Sequence, residues 1–186
     1  SIYDTFLEKV IEHAKAWKAG PTFDGSNLMG AIINQSQLDN IQRYVNIGKE
    51  EGARLVLGGN AAHTESGGFF HEPTIFADVD NSMRIAQEEI FGPVMSVIKF
   101  KDEADAIRIA NDSPYGLAGA VWSNNINTAL KVAAGVRTGT MGVNNYFGGD
   151  ITVPFGGFKE SGNGRDKSLH AMDDYTELKT TWIELK

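Results

Sequence analysis

The sequence predicts an α/β fold with a mostly parallel sheet, flanking helices and one terminal strand. Segments with helical apolar spacing alternate with short runs of strand formers, and glycine or proline separates most of them. No internal repeat, low-complexity tract or linker interrupts the alternation. With 186 residues, of which 41% are hydrophobic, the chain is long enough for one domain with its own core.

The first two helices are predicted from apolar residues that recur every three or four positions. Residues 2–17 carry one such face, which a Gly-Pro pair closes. Ser36 with Asp39 resembles a capping box, and the helix that begins there ends near Gly52. A strand follows directly, and such helix–strand units are typical of parallel sheets.

Five short segments rich in branched and aromatic residues predict the strands. In chain order they are residues 54–57, 73–77, 94–100, 118–123 and 138–143. The second begins at Pro73, which cannot donate to a neighbouring strand and therefore belongs at an edge or at a strand end. The glycines of the last segment permit close approach of another backbone.

The remaining elements are a short helix or turn at residues 82–89, three helices and a tail. Asp102 can cap a helix that runs to about Ala110, and Asn127 can cap the next one. Residues 166–174 predict the last helix. Residues 176–184 then carry strand formers but have no partner in chain order, so we expect this strand to pair away from the main sheet.

Composition excludes several classes of function. Lys and Arg total 17 against 24 for Asp and Glu, and no basic cluster interrupts that balance, so a nucleic-acid partner is not expected. No apolar run is long enough to cross a bilayer, and the N-terminal sequence is not that of a signal peptide. We therefore expect no membrane partner and a cytoplasmic location. The absence of cysteine excludes a disulfide framework, a thiolate metal site and a cysteine nucleophile within these residues.

The densest chemical motif is EEIFGPV, residues 88–94, in which a carboxylate pair and an aromatic ring precede a Gly-Pro turn. Glycine opens φ and proline fixes it, so the chain must turn there before it enters the next strand. An acid and a ring at the mouth of a buried strand can line a ligand crevice, as happens at the strand ends of open α/β sheets. A solvated helix end followed by a turn would give the same local pattern.

A second motif, PFGGFKESGNGR, occupies residues 154–165 at the end of a long glycine-rich loop. Loops of this length are usually functional. Together the two motifs resemble the C-terminal part of the aldehyde dehydrogenase superfamily, and the resemblance extends with few breaks from residue 2 to residue 185.

The resemblance implies a site for NAD or NADP. In aldehyde dehydrogenases the second Glu of this motif binds the ribose beside the nicotinamide, and the Phe packs against the same part of the cofactor. By position these residues are Glu89 and Phe91, while Glu88 is expected to support the turn. Gln37 corresponds to a glutamine near the same ribose, although an exposed polar residue in the first turn of a helix would look the same. The family often has a lysine three positions further on, where this chain has Asn40, so an ionic contact there is weakened.

The resemblance also implies a substrate loop. Phe155 is expected to reach the aldehyde, with Phe147 and Asp150 at the rim of the tunnel. Aromatic walls suit an alkyl chain, and an acid at the rim could attract a cationic tail. From the sequence alone, Phe155 could equally be a plain core residue. Residues 162–170, GNGRDKSLH, most resemble the branch that oxidises aminoaldehydes, including γ-glutamyl-γ-aminobutyraldehyde dehydrogenases.

The family mechanism needs a residue that this chain lacks. A cysteine thiolate attacks the aldehyde to give a thiohemiacetal, hydride passes to NAD(P), and water releases the carboxylic acid. We therefore expect no catalytic residue here and a nucleophile upstream of Ser1, which would make this chain a piece of a longer protein. Residues 1–171 would be the C-terminal part of its catalytic domain, and residues 172–186 an oligomerisation tail that supports a homo-oligomer.

Two hypotheses that assign the chain to other functional classes remain open. The chain could be a non-catalytic module of aldehyde dehydrogenase type, kept for oligomerisation or interaction. It could also be a metal-dependent hydrolase that uses an acidic, histidine-bearing loop. The residues concerned are His63, Glu65, His71 and Glu72. Their spacing fits no His-Glu-x-x-His helix, so we expect no metal site.

Overall fold

The computed structural model describes residues 2–146 and 149–186. It confirms the α/β class, because helices alternate with short strands along the chain. The chain divides into two compact units, Ser1–Lys99 and Phe100–Lys186, which are described separately.

The described residues of the first unit form three helices and five strands, and the strands make two sheets. The helices are α1 (Tyr3–Ala14), α2 (Gln35–Glu50) and α3 (Arg84–Gln87). The strands are β1 (Arg54–Leu57), β2 (Ala61–Ala62), β3 (Phe70–His71), β4 (Thr74–Ala77) and β5 (Val94–Ser96), with a 3-10 turn at Thr64–Ser66. The main sheet has the order β1-β4-β5, and β2 and β3 form a separate hairpin.

The pairing in the main sheet is mixed. Strand β5 is parallel to β4, and the chain between them includes α3. Strand β1 is antiparallel to β4, and the chain between them carries the β2–β3 hairpin without an α-helix. A parallel pair needs a crossover connection, usually a helix, so only the first of these connections has the form that the expected parallel sheet requires.

The core of the first unit lies between α2 and the sheet. Ile41 and Val45 on α2 and Phe76 on β4 are fully buried in one cluster that also includes Ile85 and Ile90. A second cluster packs α1 against the other side of β4 and contains Tyr3, Leu7, Ile75, Ala77 and Val97. The predicted apolar face of α2 therefore covers the sheet, whereas only part of the α1 face does, since Ile2, Phe6 and Trp17 are exposed. The residue that caps α2 is Asn34, whose side chain accepts a hydrogen bond from the backbone N–H of Gln37 at 2.8 Å. The predicted capping box at Ser36 was therefore wrong.

The second unit is built on a parallel pair of strands. Its helices are α4 (Glu103–Asn111) and α5 (Ile126–Gly135), and its last element is a 3-10 helix at Leu169–Tyr175. Its strands are β6 (Tyr115–Gly116), β7 (Ala118–Val121), β8 (Thr140–Val143) and β9 (Phe158–Lys159). Strands β7 and β8 are parallel and joined through α5, whereas β6 and β9 are antiparallel.

Two caps decide where the helices of the second unit begin. Asp102 caps α4 as predicted, because its carboxylate accepts from the Asp105 amide at 2.9 Å. The cap of α5 is Asn125, which accepts from the amides of Asn127 and Thr128, so the helix begins earlier than predicted.

Residues 176–186 contain no helix or strand in the structure of the single chain. The side chain of Trp182 is 92% exposed, and Leu178 and Leu185 are as open. The expected strand would need a partner outside this chain, so it stays a prediction. Within residues 2–146 and 149–186, no helix combines the length and the apolar character that a membrane crossing requires.

Candidate functional site

The loop between α3 and β5 presents alternate side chains to the protein and to solvent. Glu88 is half-buried and Ile90 is buried in the core, while Glu89 and Phe91 are exposed. Two inward residues thus anchor the loop on either side of the Glu89 carboxylate. The sequence motif therefore has a fixed outer face made of one acid and one ring.

Glu88 is held by two partners. Arg84 donates to both of its carboxylate oxygens, at 2.7 and 2.8 Å, and the Tyr44 hydroxyl donates at 2.7 Å. These bonds, the Arg84 pair first, lower the pKa of Glu88 from 4.5 to about 2. Glu88 is therefore an ionised structural residue that fixes the start of the loop.

The backbone at Phe91 is strained. Its φ is +53°, a left-handed conformation that bulky residues rarely adopt and that costs about 1–3 kcal/mol. The ring is 78% exposed, so burial of this side chain does not offset the cost. At the next residue, Gly92, a Cβ would lie 2.6 Å from Ile41 Cγ1 and Cδ1, so glycine is needed for the close approach to α2.

The carbonyl groups of this strained segment are bound by α2. Gln37 Nε2 donates to the carbonyl oxygens of Ile90 and Phe91 at 2.8 and 3.0 Å. Asn40 Nδ2 lies 3.5 Å from the Ile90 oxygen, and Asn40 Oδ1 accepts from Arg43 at 2.6 Å. The structure therefore places the Gln37 side chain against the loop that carries Glu89 and Phe91, with its side-chain N–H groups bound to carbonyl oxygens of that loop.

Glu89 differs from Glu88 in having no hydrogen bond or ion pair with any described residue. An exposed carboxylate of this kind can accept hydrogen bonds from both hydroxyls of a diol. The adjoining Phe91 ring offers an apolar surface to the same ligand. These two residues fit the ribose side of a dinucleotide cofactor, which is the group that the resemblance implies.

The two histidines near the hairpin β2–β3 contact neighbouring protein groups. His71 is fully buried on β3; its Nδ1 lies 2.8 Å from the Glu72 carbonyl oxygen and its Nε2 lies 2.6 Å from Gln42 Nε2. His63 Nε2 is within 2.9 Å of the Ala19 carbonyl oxygen. No three His, Asp or Glu side chains converge on a common point in the described part of the chain. Both histidines thus contribute to local structure.

In the second unit two of the predicted substrate residues, Asp150 and Phe155, lie on a loop that pairs with residues 166–168. Phe155 and Asp166 exchange two backbone hydrogen bonds, and the Phe155 ring is 38% exposed. Asp150 accepts from the amide and hydroxyl of Thr152, which lowers its pKa. Lys167 Nζ stands 5.5 Å from the centre of the Phe155 ring. Phe147, the third predicted residue, lies outside the described residues.

The glycine-rich motif is held by an arginine. Arg165 Nη1 donates to the carbonyl oxygens of Gly157 and Gly164, both at 2.8 Å, and its guanidinium lies 4.8 Å from the centre of the Phe158 ring. Gly139 directly precedes β8, and a Cβ there would collide with the Gly156 carbonyl oxygen of this motif. The predicted close approach of backbones at this strand is therefore confirmed.

Sequence reasoning missed three residues around these sites, namely Arg43, Tyr44 and Lys167. The signal for the first was present, since Gln37, Asn40 and Arg43 recur every three positions and so share one face of α2. Tyr44 contacts Glu88, and Lys167 contacts the Phe155 ring. Both partners are distant in sequence, and no local sequence pattern predicts such contacts.

Comparisons with known proteins agree with this geometry. The family model described as the aldehyde dehydrogenase family matches residues 1–181. The NADP/NAD-dependent aldehyde dehydrogenase PuuC of Escherichia coli (strain K12) is 44% identical over 186 residues, which are all of this chain and 37% of PuuC. This chain therefore spans little more than a third of that relative.

Solved structures give the same result. The aldehyde dehydrogenase KauB from Pseudomonas aeruginosa has a TM-score of 0.94 and 55% identity, over 99% of this chain and 37% of KauB. The P. syringae indole-3-acetaldehyde dehydrogenase AldA, solved in complex with NAD+, matches with the same TM-score, identity and coverage. Since the family model covers nearly the whole sequence, this chain belongs to the aldehyde dehydrogenase family.

Proposed function

We propose that this chain is the C-terminal part of an NAD(P)-dependent aldehyde dehydrogenase that oxidises an aldehyde to the carboxylic acid. The observation that carries the proposal is Glu89, an exposed carboxylate without a partner among the described residues, on a loop whose neighbouring residues are fixed. Family membership and the NAD+ complex of the AldA relative support the same activity.

In this proposal each residue of the loop has a separate task. Glu89 accepts hydrogen bonds from the two hydroxyls of the ribose, and Phe91 packs beside it. The bound cofactor supplies the hydride acceptor. Because the chain contains no cysteine, the thiolate nucleophile comes from residues outside it. The contribution of this chain is therefore to orient the cofactor and to line the substrate path.

For the substrate class we propose an aldehyde of the aminoaldehyde type. The GNGRDKSLH sequence and the similarity to PuuC support this choice. Asp150 is an exposed acid on the substrate loop, which suits a substrate with a cationic end.

We also propose a homo-oligomer. The exposed apolar tail of the chain, residues 176–186, supports this assembly, since such a surface is rarely left open to water. The cytoplasmic location expected from the sequence stays a prediction.

The test compares the complete protein with the 186-residue chain. Each is incubated with NAD+ or NADP+ and with neutral or cationic aldehydes, and reduced cofactor is followed by absorbance. The complete protein should form NAD(P)H and the carboxylic acid, whereas the chain alone should form neither. A complete protein that is inactive with every aldehyde, or an active isolated chain, would overturn the proposal.

A further inference from the structure

We propose that Gln37 and Asn40 are positioning residues, which act on the cofactor by fixing the loop that carries Glu89. This inference rests on the proposed function, because it concerns how the ribose ligand is oriented. It gives Gln37 a role that acts through this loop, beyond the position near the ribose that the family resemblance implies.

The hydrogen-bonding capacity of Gln37 supports this role. A side-chain amide has two N–H protons, and Gln37 Nε2 directs them at two carbonyl oxygens, 2.8 Å away at Ile90 and 3.0 Å away at Phe91. Only a donor can face two carbonyl oxygens at these distances. The nitrogen is therefore already used by the protein and is not available to a ligand unless the loop releases it.

Asn40 extends the same arrangement by one turn of α2. Its Nδ2 faces the Ile90 carbonyl oxygen, and its Oδ1 accepts from Arg43 at 2.6 Å. The Arg43 guanidinium in turn lies 4.5 Å from the centre of the Tyr44 ring, and Tyr44 donates to Glu88. The residues before and after Glu89 are thus connected through one face of a single helix.

The strained backbone explains why such fixing is needed. Phe91 keeps a φ of +53° although its ring is exposed, and a conformation of that kind persists only where neighbouring contacts determine it. Gln37 binds the carbonyl groups that precede and follow the Phe91 Cα. Loss of these bonds would let the segment relax and would move the Glu89 carboxylate away from its position.

The test uses the complete enzyme with Gln37→Glu. This change keeps the shape of the side chain but turns two donors into a carboxylate that repels both carbonyl oxygens. The control is Asn46→Asp, which adds the same charge to α2 at an exposed residue that bonds to no described residue. Hydrogen–deuterium exchange is measured on a peptide that covers residues 88–94, without cofactor. Single-turnover NAD(P)H formation and NAD+ affinity are measured beside it.

Gln37→Glu should speed exchange of this peptide by about tenfold, the effect of losing two hydrogen bonds. It should also slow NAD(P)H formation by about tenfold while the Kd for NAD+ changes by less than about threefold. Combined with Glu89→Gln, it should add little further slowing. Asn46→Asp should leave all three quantities unchanged.

Two results would overturn the inference. One is unchanged exchange with a Kd for NAD+ that rises tenfold, which would make Gln37 a direct ligand. The other is wild-type exchange and rate in Gln37→Glu beside an impaired Glu89→Gln variant. Either result would leave the proposed function standing, whereas a wild-type complete protein without dehydrogenase activity would remove that function and its cofactor site together.

Discussion

The Tyr44 hydroxyl donates to the Glu88 carboxylate at 2.7 Å, although the two residues are 44 positions apart in the sequence. Arg84 binds the same carboxylate through both of its oxygens. The adjacent Glu89 has no partner among the described residues. Two neighbouring acids of the same chemistry therefore differ in their surroundings, which make Glu88 structural and leave the Glu89 carboxylate open to the proposed ligand.

Glu88→Gln should lower the stability of the 186-residue chain near neutral pH. In the wild-type chain the pKa of Glu88 is lowered to about 2. The ionised carboxylate therefore stabilises the fold fully above its ordinary pKa of 4.5, and this stabilisation is lost as pH falls towards 2. The difference in unfolding free energy between wild type and variant should shrink over that range. Urea unfolding at several pH values measures it, with Glu89→Gln as the control. A difference independent of pH would contradict this assignment.

The sequence was sufficient for the approximate positions of the longer helices and of the main strands, because these depend on local spacing. The apolar rows of α1 and α2 and the strand at residues 54–57 were found in this way. Helix starts were less certain, since Asn34 and Ser36 are both good caps. The cap is the one with extended backbone, Asn34, with φ −163° and ψ 173°.

The candidate site was predictable only where a motif carried it. Glu89 and Phe91 were identified from residues 88–94, but the bond from Gln37 to Ile90 spans 53 positions. Whether a polar side chain faces solvent or a distant carbonyl group depends on tertiary packing. The same limit applies to strand pairing, where the antiparallel partner of β1 was not visible in the sequence.

Phe76→Ala should destabilise the chain by about 3–5 kcal/mol, because the ring is fully buried between α2 and the sheet and its removal leaves a cavity. Phe23→Ala is the matched control, since that ring is fully exposed on a loop. Chemical denaturation of both variants should show a large shift for the first and almost none for the second. Equal shifts would mean that the core is placed incorrectly.

Asp150→Asn in the complete enzyme should raise the KM for cationic aminoaldehydes about fivefold, roughly 1 kcal/mol, with neutral aldehydes nearly unchanged. Lys167 opposes the attraction between Asp150 and a cationic substrate, because its positive charge lies near the same carboxylate. The pKa of Asp150 is lowered mainly by the Thr152 hydrogen bonds and to a smaller extent by Lys167. Lys167→Gln should therefore lower the same KM. Steady-state kinetics with both substrate types provide the comparison. Equal changes for cationic and neutral aldehydes would reject the role of Asp150.

Deletion of residues 176–186 from the complete protein should convert the oligomer into smaller species or aggregates. The tail exposes Leu178, Trp182 and Ile183, and a strand added to a neighbouring subunit would bury such side chains and satisfy its backbone. Trp182→Ala is a milder variant and should weaken assembly without abolishing it. Light scattering reports the mass directly. An unchanged mass after the deletion would show that the tail folds onto its own domain.

The most direct test of the account is the turnover of Glu89→Gln in the complete enzyme, measured with saturating cofactor and aldehyde. A carboxylate on the ribose orients the nicotinamide, and orientation counts more in the transition state than in the ground state. We predict that turnover falls by about tenfold to a hundredfold, with a much smaller change in the Kd for NAD+. Wild-type turnover in this variant would contradict the assignment of Glu89 as the ribose ligand.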